Sequence, residues 1–293
     1  MSELNIKKIR FNPSLEGMAE VLPDITYSSA TGKEIKLSII TPWRDRQNKT
    51  EVPRYPLIIF VQGSGWTFPN INYEIPQLSC YAQNGYVVAT VTHRNCLEGH
   101  PFPAFLQDVK TAIRFMRKNA DIYGIDPERV GIWGTSSGGN TALLVGLTKD
   151  EPMFTTEEYS GFSDGVKCVV DCFGPTDINQ ICSELMSNPA EDSPIHIFKA
   201  LMGKVRVEDY PERLNEMSPI WWVNKRSEFP SFLLLHGDAD LMVPYEQSVI
   251  MHRALLNAGA SSEMVCVENG PHEGSFWSKQ IHDIILEFFR KNL

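Results

Sequence analysis

Continuous apolar runs rich in β-branched side chains alternate along this chain with stretches whose apolar positions recur at helical spacing. That alternation predicts an α/β protein with a mostly parallel central sheet flanked by helices. Leu57-Ile58-Ile59-Phe60-Val61 and the run from Tyr86 to Val91 have no polar face, as central strands covered on both sides require. Residues 21–41 instead alternate apolar and polar positions around the turn Thr31-Gly32-Lys33, the pattern of an antiparallel hairpin at the sheet edge with one wet face. Further strands are expected at Val130–Trp133, Val166–Phe173, Phe232–His236 and Met264–Val267. Helices are expected around Gln77–Asn84 and over Asp108–Tyr123, where Val109, Ala112, Ile113, Phe115 and Met116 make one face and Gly124 supplies the stop. Three more are expected at Asn140–Lys149, Pro244–Ala258 and Trp277–Lys291. Residues 178–222, rich in Ser, Pro, Glu and Met, break the rhythm and predict short helices over the C-terminal edge of the sheet, as a partial cap over a pocket or as a surface excursion.

Composition narrows this to one globular domain over residues 1–293, since wound α/β sheets run to such lengths as single units and 42% apolar with 22% charged residues leaves no sign of disorder. A net charge of -9 argues against a surface that tracks nucleic-acid phosphates. Lys7-Lys8 and Arg290-Lys291 are short solvated terminal charges. The start Met-Ser-Glu-Leu-Asn-Ile-Lys-Lys has no apolar stretch after its charges, and no segment has the length of a membrane span, so a cytoplasmic protein is expected. Cys80, Cys96, Cys168, Cys172, Cys182 and Cys266 lie singly, without C-x-x-C pairs or metal-ligand spacing, and read as buried thiols.

The chemistry-bearing signal is Gly134-Thr135-Ser136-Ser137-Gly138, a G-x-S-x-G pattern between a buried strand and a helix. A nucleophile on such a tight turn needs glycines where side chains would collide, and the N-terminus of the following helix points its positive end at developing negative charge. A serine hydroxyl is a weak nucleophile, so a base must take its proton, and in this arrangement an acid and then a histidine follow in the chain. His272, in Asn269-Gly270-Pro271-His272-Glu273-Gly274-Ser275-Phe276 between the last strand and the last helix, is the candidate base. Asp238 and Asp240 in Leu235-His236-Gly237-Asp238-Ala239-Asp240 compete for the acid; the distal Asp240 is better placed to reach the base, and Asp238 to cap the turn. Asp171 and Asp177 are further candidates, while His236, ending a strand, reads as a loop-positioning group. Gln62-Gly63-Ser64-Gly65-Trp66 follows the first central strand, and the backbone N–H groups of Ser64, Gly65 and Ser137 are the candidate oxyanion donors. Trp66, Phe68, Phe276 and Trp277 are candidates to line a substrate pocket.

With these segments, Phe102-Pro103-Ala104, Asp108-Val109-Lys110, Tyr123 to Arg129, Phe173-Gly174-Pro175-Thr176-Asp177, Met217-Ser218-Pro219-Ile220 and His236 to Pro244, the chain resembles the acetyl xylan and feruloyl esterase-like branch of the α/β-hydrolases, close to hormone-sensitive-lipase-type and kynurenine-formamidase-type enzymes. The resemblance covers roughly residues 20–290. It implies an α/β-hydrolase fold and a serine esterase with Ser136, Asp240 and His272 as nucleophile, acid and base. One departure stands out: the family's oxyanion segment usually reads His-Gly-Gly-Gly-Trp, and here Gln62 and Ser64 replace the His and the middle Gly. Expected substrates are acetyl or hydroxycinnamoyl esters of carbohydrates or small conjugates, with no metal and no organic cofactor. The expected partner is thus a small-molecule or oligosaccharide ester, not nucleic acid or membrane, and a homo-oligomer is compatible with the sequence. Hydrolysis of an amide, as in arylformamidases or peptidases, and a catalytically silent binding fold are the alternatives.

Overall fold

Every apolar run read as a strand pairs into one sheet. The structure, a computed structural model, describes residues 5–13, 15–44, 53–187, 194–204, 206 and 209–293, with 185–187 described through their backbone alone. The strands are β1 (Ala19–Ser28), β2 (Ile35–Pro42), β3 (Tyr55–Val61), β4 (Val87–Val91), β5 (Ile125–Thr135), β6 (Cys168–Cys172), β7 (Ser231–Gly237) and β8 (Ser262–Val267). They form an eight-stranded sheet in the order β1-β2-β4-β3-β5-β6-β7-β8. The β1/β2 hairpin is antiparallel and β2 runs antiparallel to β4, whereas β4, β3, β5, β6, β7 and β8 are mutually parallel. The chain winds from β3 outward to β4 and then returns to the other side of β3 with β5. The switch point therefore lies between the carboxyl ends of β3 and β5, where open α/β sheets place their ligands.

Burial explains the patterns. All five residues of β4 are buried, and β3 is buried beyond its first residue, as expected of strands covered on two sides. The edge strands β1 and β8 keep partly exposed faces. The helices are α1 (Ile75–Gln83), α2 (Ala104–Lys118), α3 (Ala120–Tyr123), α4 (Ser137–Leu147), α5 (Ile178–Ser187), α6 (Ile195–Met202), α7 (Tyr210–Glu216), α8 (Pro219–Val223), α9 (Glu246–Asn257) and α10 (Lys279–Asn292). One core joins Leu57, Ile59 and Val87 to Val109 and Ile113 of α2, Leu143 of α4 and Met251 of α9. The other face packs Ile58, Phe60 and Trp133 against Leu78 and Tyr81 of α1 and Ile285 and Phe289 of α10.

Several boundaries differ from expectation. The helix expected over Asp108–Tyr123 starts at Ala104 and breaks at Asn119, whose side-chain amide turns back onto Phe115 O (2.8 Å) and ends the first segment. Gly124 then stops α3 in the left-handed region at φ 67°. The helix expected from Asn140 begins at Ser137, because the glycines read as loop are its first turn. Gly138, and Gly134 near the end of β5, are glycines for close approach: a Cβ on Gly138 would lie 2.0 Å from Val61 O, and one on Gly134 1.9 Å from Gly138 O. Four cysteines are buried as expected, but Cys80 and Cys266 are exposed, since they sit on outward positions of α1 and the edge strand β8; all six are free.

The excursion at 178–222 forms α5 to α8, with residues 188–193, 205, 207 and 208 of that stretch outside the described residues. Its α6 packs on the loop that leaves β3: the Phe198 ring lies 5.9 Å from that of Trp66, and Leu201 O accepts the Phe102 N–H at 3.0 Å. Among the described residues no helix is long and apolar enough to cross a membrane.

Candidate active site

Ser136 sits between the end of β5 and the first residue of α4 with φ 53° and ψ -123°, a backbone region that non-glycine residues enter only under constraint. The constraint is visible. Its N–H donates to Cys172 O at 2.8 Å from the end of the neighbouring strand, and the two flanking glycines let helix and strand close around it. The hydroxyl is thereby turned out over the carboxyl ends of the strands.

His272, in the loop between β8 and α10, meets it: Nε2 is 2.9 Å from Ser136 Oγ, and Nδ1 is 2.6 Å from Asp240 Oδ2. Asp240 leaves the end of β7, and its side chain is fully buried while that of His272 is 11% exposed. The remaining lone pairs of Asp240 are also used. Oδ1 accepts the N–H groups of Met242 (2.7 Å) and Val243 (2.9 Å), and Oδ2 additionally meets Nε2 of His236 at 3.1 Å. His236 Nε2 faces a second acceptor, Val243 O (3.0 Å), so that nitrogen carries the proton and Nδ1 accepts from Ser248 Oγ at 2.7 Å. By the same logic His272 holds its proton on Nδ1 toward the carboxylate and offers an Nε2 lone pair to Ser136. Burial works against ionisation of Asp240. The hydrogen bonds from His236, His272 and Val243 outweigh it and hold the carboxyl well below the usual range.

The competing carboxylates go elsewhere. Asp238 is exposed and accepts Asn269 N–H at 2.5 Å, tying the β7 loop to the loop that carries His272. Asp177 accepts Gln180 N–H at the start of α5. Asp171 lies in β6 opposite Gly134, fully buried, with Oδ1 on Gly174 N–H (3.0 Å) and Oδ2 without a hydrogen-bond partner among the described residues. Burial pushes its pKa up to about 7, against the Gly174 bond, which lowers it.

The segment after β3 lies directly against the nucleophile: a Cβ on Gly63 would come 2.8 Å from Ser136 Cβ. Gly63 N–H donates to Thr135 Oγ1 (2.8 Å) and Ser64 N–H to Ser137 Oγ (3.0 Å), so two bonds between side chains of the serine turn and this loop fix one to the other. Of the three candidate oxyanion donors, Ser64 N–H is thus already engaged. Gly65 N–H has no hydrogen-bond partner among the described residues, and Ser137, at the first position of α4, has an N–H that no carbonyl of its own helix reaches.

The aromatic candidates fare differently. Trp66 is 4% exposed and wedged between Phe105 and Phe198, and Phe276 is fully buried with its ring 4.8 Å from Phe173; both are core residues, not pocket lining. Trp277 stacks on His282 at 5.4 Å and donates to Glu273 Oε1 at 2.7 Å. Phe68 is 62% exposed and borders a separate small depression with His93, Arg94 and His100. A residue missed in the sequence is Phe173, whose ring lies 4.7 Å from that of His272 and packs beneath it. Its position directly after the buried run Cys168–Cys172 and before Gly174 was the available signal.

Serine on the turn between a central parallel strand and its helix, a histidine from the loop after the last strand and a carboxylate from the loop before it define an α/β-hydrolase on a sheet of this order. The chain belongs to the BD-FAE family, whose profile matches residues 46–255. It is 29% identical over 211 residues to the esterase LipC of Mycobacterium tuberculosis, covering 72% of this chain and 50% of that protein. It is 30% identical over 243 residues to the esterase LipQ of the same organism, covering 82% of this chain and 53% of that one. The chain therefore spans about half the length of these two relatives. A truncated carbohydrate esterase from gut microbiota superposes with a TM-score of 0.76 at 29% identity, over 94% of this chain and 97% of that one.

Proposed function

We propose that the protein is a serine carboxylic-ester hydrolase that works through an acyl-enzyme. The observation that carries this is the continuous line from Ser136 Oγ through both nitrogens of His272 to the buried Asp240, at 2.9 and 2.6 Å. Ser136 Oγ attacks the ester carbonyl as its proton passes to His272 Nε2. The negative charge that develops on the carbonyl oxygen is met by the N–H groups of Gly65 and Ser137, aided by the N-terminus of α4. Ser64 N–H, bound to Ser137 Oγ, acts as a tie that keeps the loop in place. Collapse of the tetrahedral species breaks the bond to the alcohol, which takes the proton from His272. Water then enters by the same route in reverse, forms the acid and restores Ser136. Asp240 stays ionised throughout, orients the imidazole and stabilises its charged form.

As substrates we infer acetyl or hydroxycinnamoyl esters of carbohydrates or small conjugates. Likeness to a carbohydrate esterase along nearly the whole chain supports this class. The helices α5 to α8 serve as a partial cap on one continuous domain, a role supported by the packing of α6 against the loop that follows β3. The test compares wild type with Ser136→Ala on p-nitrophenyl acetate, longer acyl esters, methyl ferulate, acetylated xylo-oligosaccharides and N-formylkynurenine. Acetate or ferulate release that falls by at least about 10³-fold in the variant is expected. Equal rates in two folded proteins would sink the assignment, and turnover of the formamide with none of the esters would move it to amide hydrolysis.

A further inference from the structure

Asp171 places a carboxyl group in the buried parallel strand β6, and the catalytic line does not use it. Asp108 and Asp164, also buried, are held by Arg94 and Lys110, whereas Asp171 has no cation partner among the described residues. Burying such a group without a counter-ion costs stability, yet the molecule makes room for it. A Cβ on Gly139 would lie 2.1 Å from its Oδ1 and one on Gly174 2.4 Å, so glycines on two separate segments open the space it fills. Oδ1 accepts Gly174 N–H at 3.0 Å, the one acceptor of that buried N–H among the described residues. The bond spans the two residues between, and each of them touches the chemistry. Cys172 O accepts Ser136 N–H at 2.8 Å. Phe173 stands at φ 47°, a region that non-glycine residues enter only under constraint, with its N–H on Leu235 O at 2.8 Å and its ring 4.7 Å from that of His272. Gly174 itself is pressed on the first turn of α4: a Cβ there would lie 2.7 Å from Asn140 N, and Asn140 Nδ2 donates to Pro175 O at 2.9 Å.

We propose that Asp171 is a positioning residue for ester hydrolysis: its bond to Gly174 N–H latches the turn after β6, which sets the nucleophile through Cys172 O and the base through the Phe173 ring. This rests on the esterase assignment above and adds a residue outside the catalytic line. Ser136 and His272 come from different loops, and the distance to be kept between them is the 2.9 Å from Oγ to Nε2. The turn after β6 is a support common to both. Without the latch, Gly174 N–H is a buried donor with no partner, and Phe173 loses the bond that closes the turn around its strained backbone. As Phe173 relaxes, its ring withdraws from the imidazole. Cys172, paired on both sides with Thr135 and Leu235, moves less, so base and nucleophile part company. Asp171 is fully buried and touches no substrate, and the loss therefore falls on kcat and not on KM.

The experiment measures kcat and KM on p-nitrophenyl acetate for wild type, Asp171→Ala, Asp171→Asn, Phe173→Leu and the double variant of Asp171→Ala with Phe173→Leu. Each kcat is referred to the serine labelled to completion by a fluorophosphonate probe. A residue that only stabilised the fold would lower the labelled fraction and leave kcat per serine unchanged. Asp171→Ala should instead lower kcat per serine about 10- to 100-fold with KM nearly unchanged. Asp171→Asn keeps an oxygen for Gly174 N–H and should stay within about threefold of wild type. Phe173→Leu keeps the latch but removes the ring beneath the base, and should lower kcat about 5- to 20-fold. The double variant should lose less than the product of the two single losses, because both act through one turn. An Asp171→Ala enzyme within about threefold of wild type per serine, an Asp171→Asn enzyme as slow as Asp171→Ala, or losses that simply multiply overturn the proposal while leaving an active wild-type esterase intact. Should Asp171→Ala yield no folded protein, the other two single variants decide: a slow Asp171→Asn or a full-speed Phe173→Leu overturns the proposal, and the reverse upholds it. A wild type that hydrolyses no ester overturns the esterase assignment first, and this inference with it.

Discussion

Asp240→Asn is the substitution that most directly separates the two carboxylates after β7. Asp240 accepts from Met242 and Val243 on Oδ1 and from His272 and His236 on Oδ2, and an amide can supply only one oxygen to those two sets. Keeping the two backbone N–H groups satisfied places the new NH2 where Oδ2 was, facing two imidazole N–H groups. His272 must then accept on Nδ1, which moves its proton to Nε2 and leaves no lone pair for the Ser136 hydroxyl. The opposite flip orphans two backbone donors. The expected loss is about 10⁴-fold in kcat, or about 5.5 kcal/mol of transition-state stabilisation, with KM little changed. Folding should also suffer, by about 1.5–3 kcal/mol for a lost charge-assisted hydrogen bond. That component has a pH signature. The depressed pKa of Asp240 gives stability that is fully present above the ordinary carboxylate range and lost as pH falls through the folded value, so the variant should show a flatter acid limb in thermal melts. Asp238→Asn is the control: its exposed side chain keeps an oxygen for Asn269 N–H, and kcat should stay within about threefold. Steady-state kinetics on p-nitrophenyl acetate, with a fluorophosphonate probe to count reactive serine, reads both variants. An Asp240→Asn enzyme within tenfold of wild type, or an Asp238→Asn enzyme that loses more than it, would refute the tautomer argument.

Two further outcomes follow from burial. Phe276→Ala removes a fully buried ring packed on Phe173 and should cost about 3–5 kcal/mol in chemical denaturation; a change confined to KM with unaltered stability would return Phe276 to the pocket wall. Asp171 has a folded pKa raised to about 7, so between about pH 4 and 7 the unfolded chain sheds a proton that the folded one keeps, and stability drops as pH rises across that window by up to about 4 kcal/mol. Asp171→Asn keeps the acceptor for Gly174 N–H and should therefore gain stability over wild type at pH 8 but not at pH 4; an equal difference at both would show that Asp171 does not titrate there.

Much of the site was legible because its signals are local. Gly134-Thr135-Ser136-Ser137-Gly138 carries its own reason, since strand and helix can close around a strained serine only where side chains are absent, and chain order then selected Asp240 and His272 from the loops after β7 and β8. Buried runs such as Ile58 to Val61 and Val87 to Val91 likewise announce central strands, because only side chains without polar groups tolerate cover on both faces. The pocket aromatics were not legible. Trp66, Phe68, Phe276 and Trp277 all sit near the oxyanion loop or the base in the chain, and nearness in the chain does not say which way a ring turns; packing partners from α2, α6 and the residue after β6 drew Trp66 and Phe276 inward. The occupation of Ser64 N–H by Ser137 Oγ and the ring of Phe173 beneath the base join residues remote in sequence. Such pairs carry no periodicity and no motif. Local sterics and burial are written in runs of neighbouring residues, whereas hydrogen bonds between loops depend on where the sheet brings their ends, and only the tertiary structure decides that.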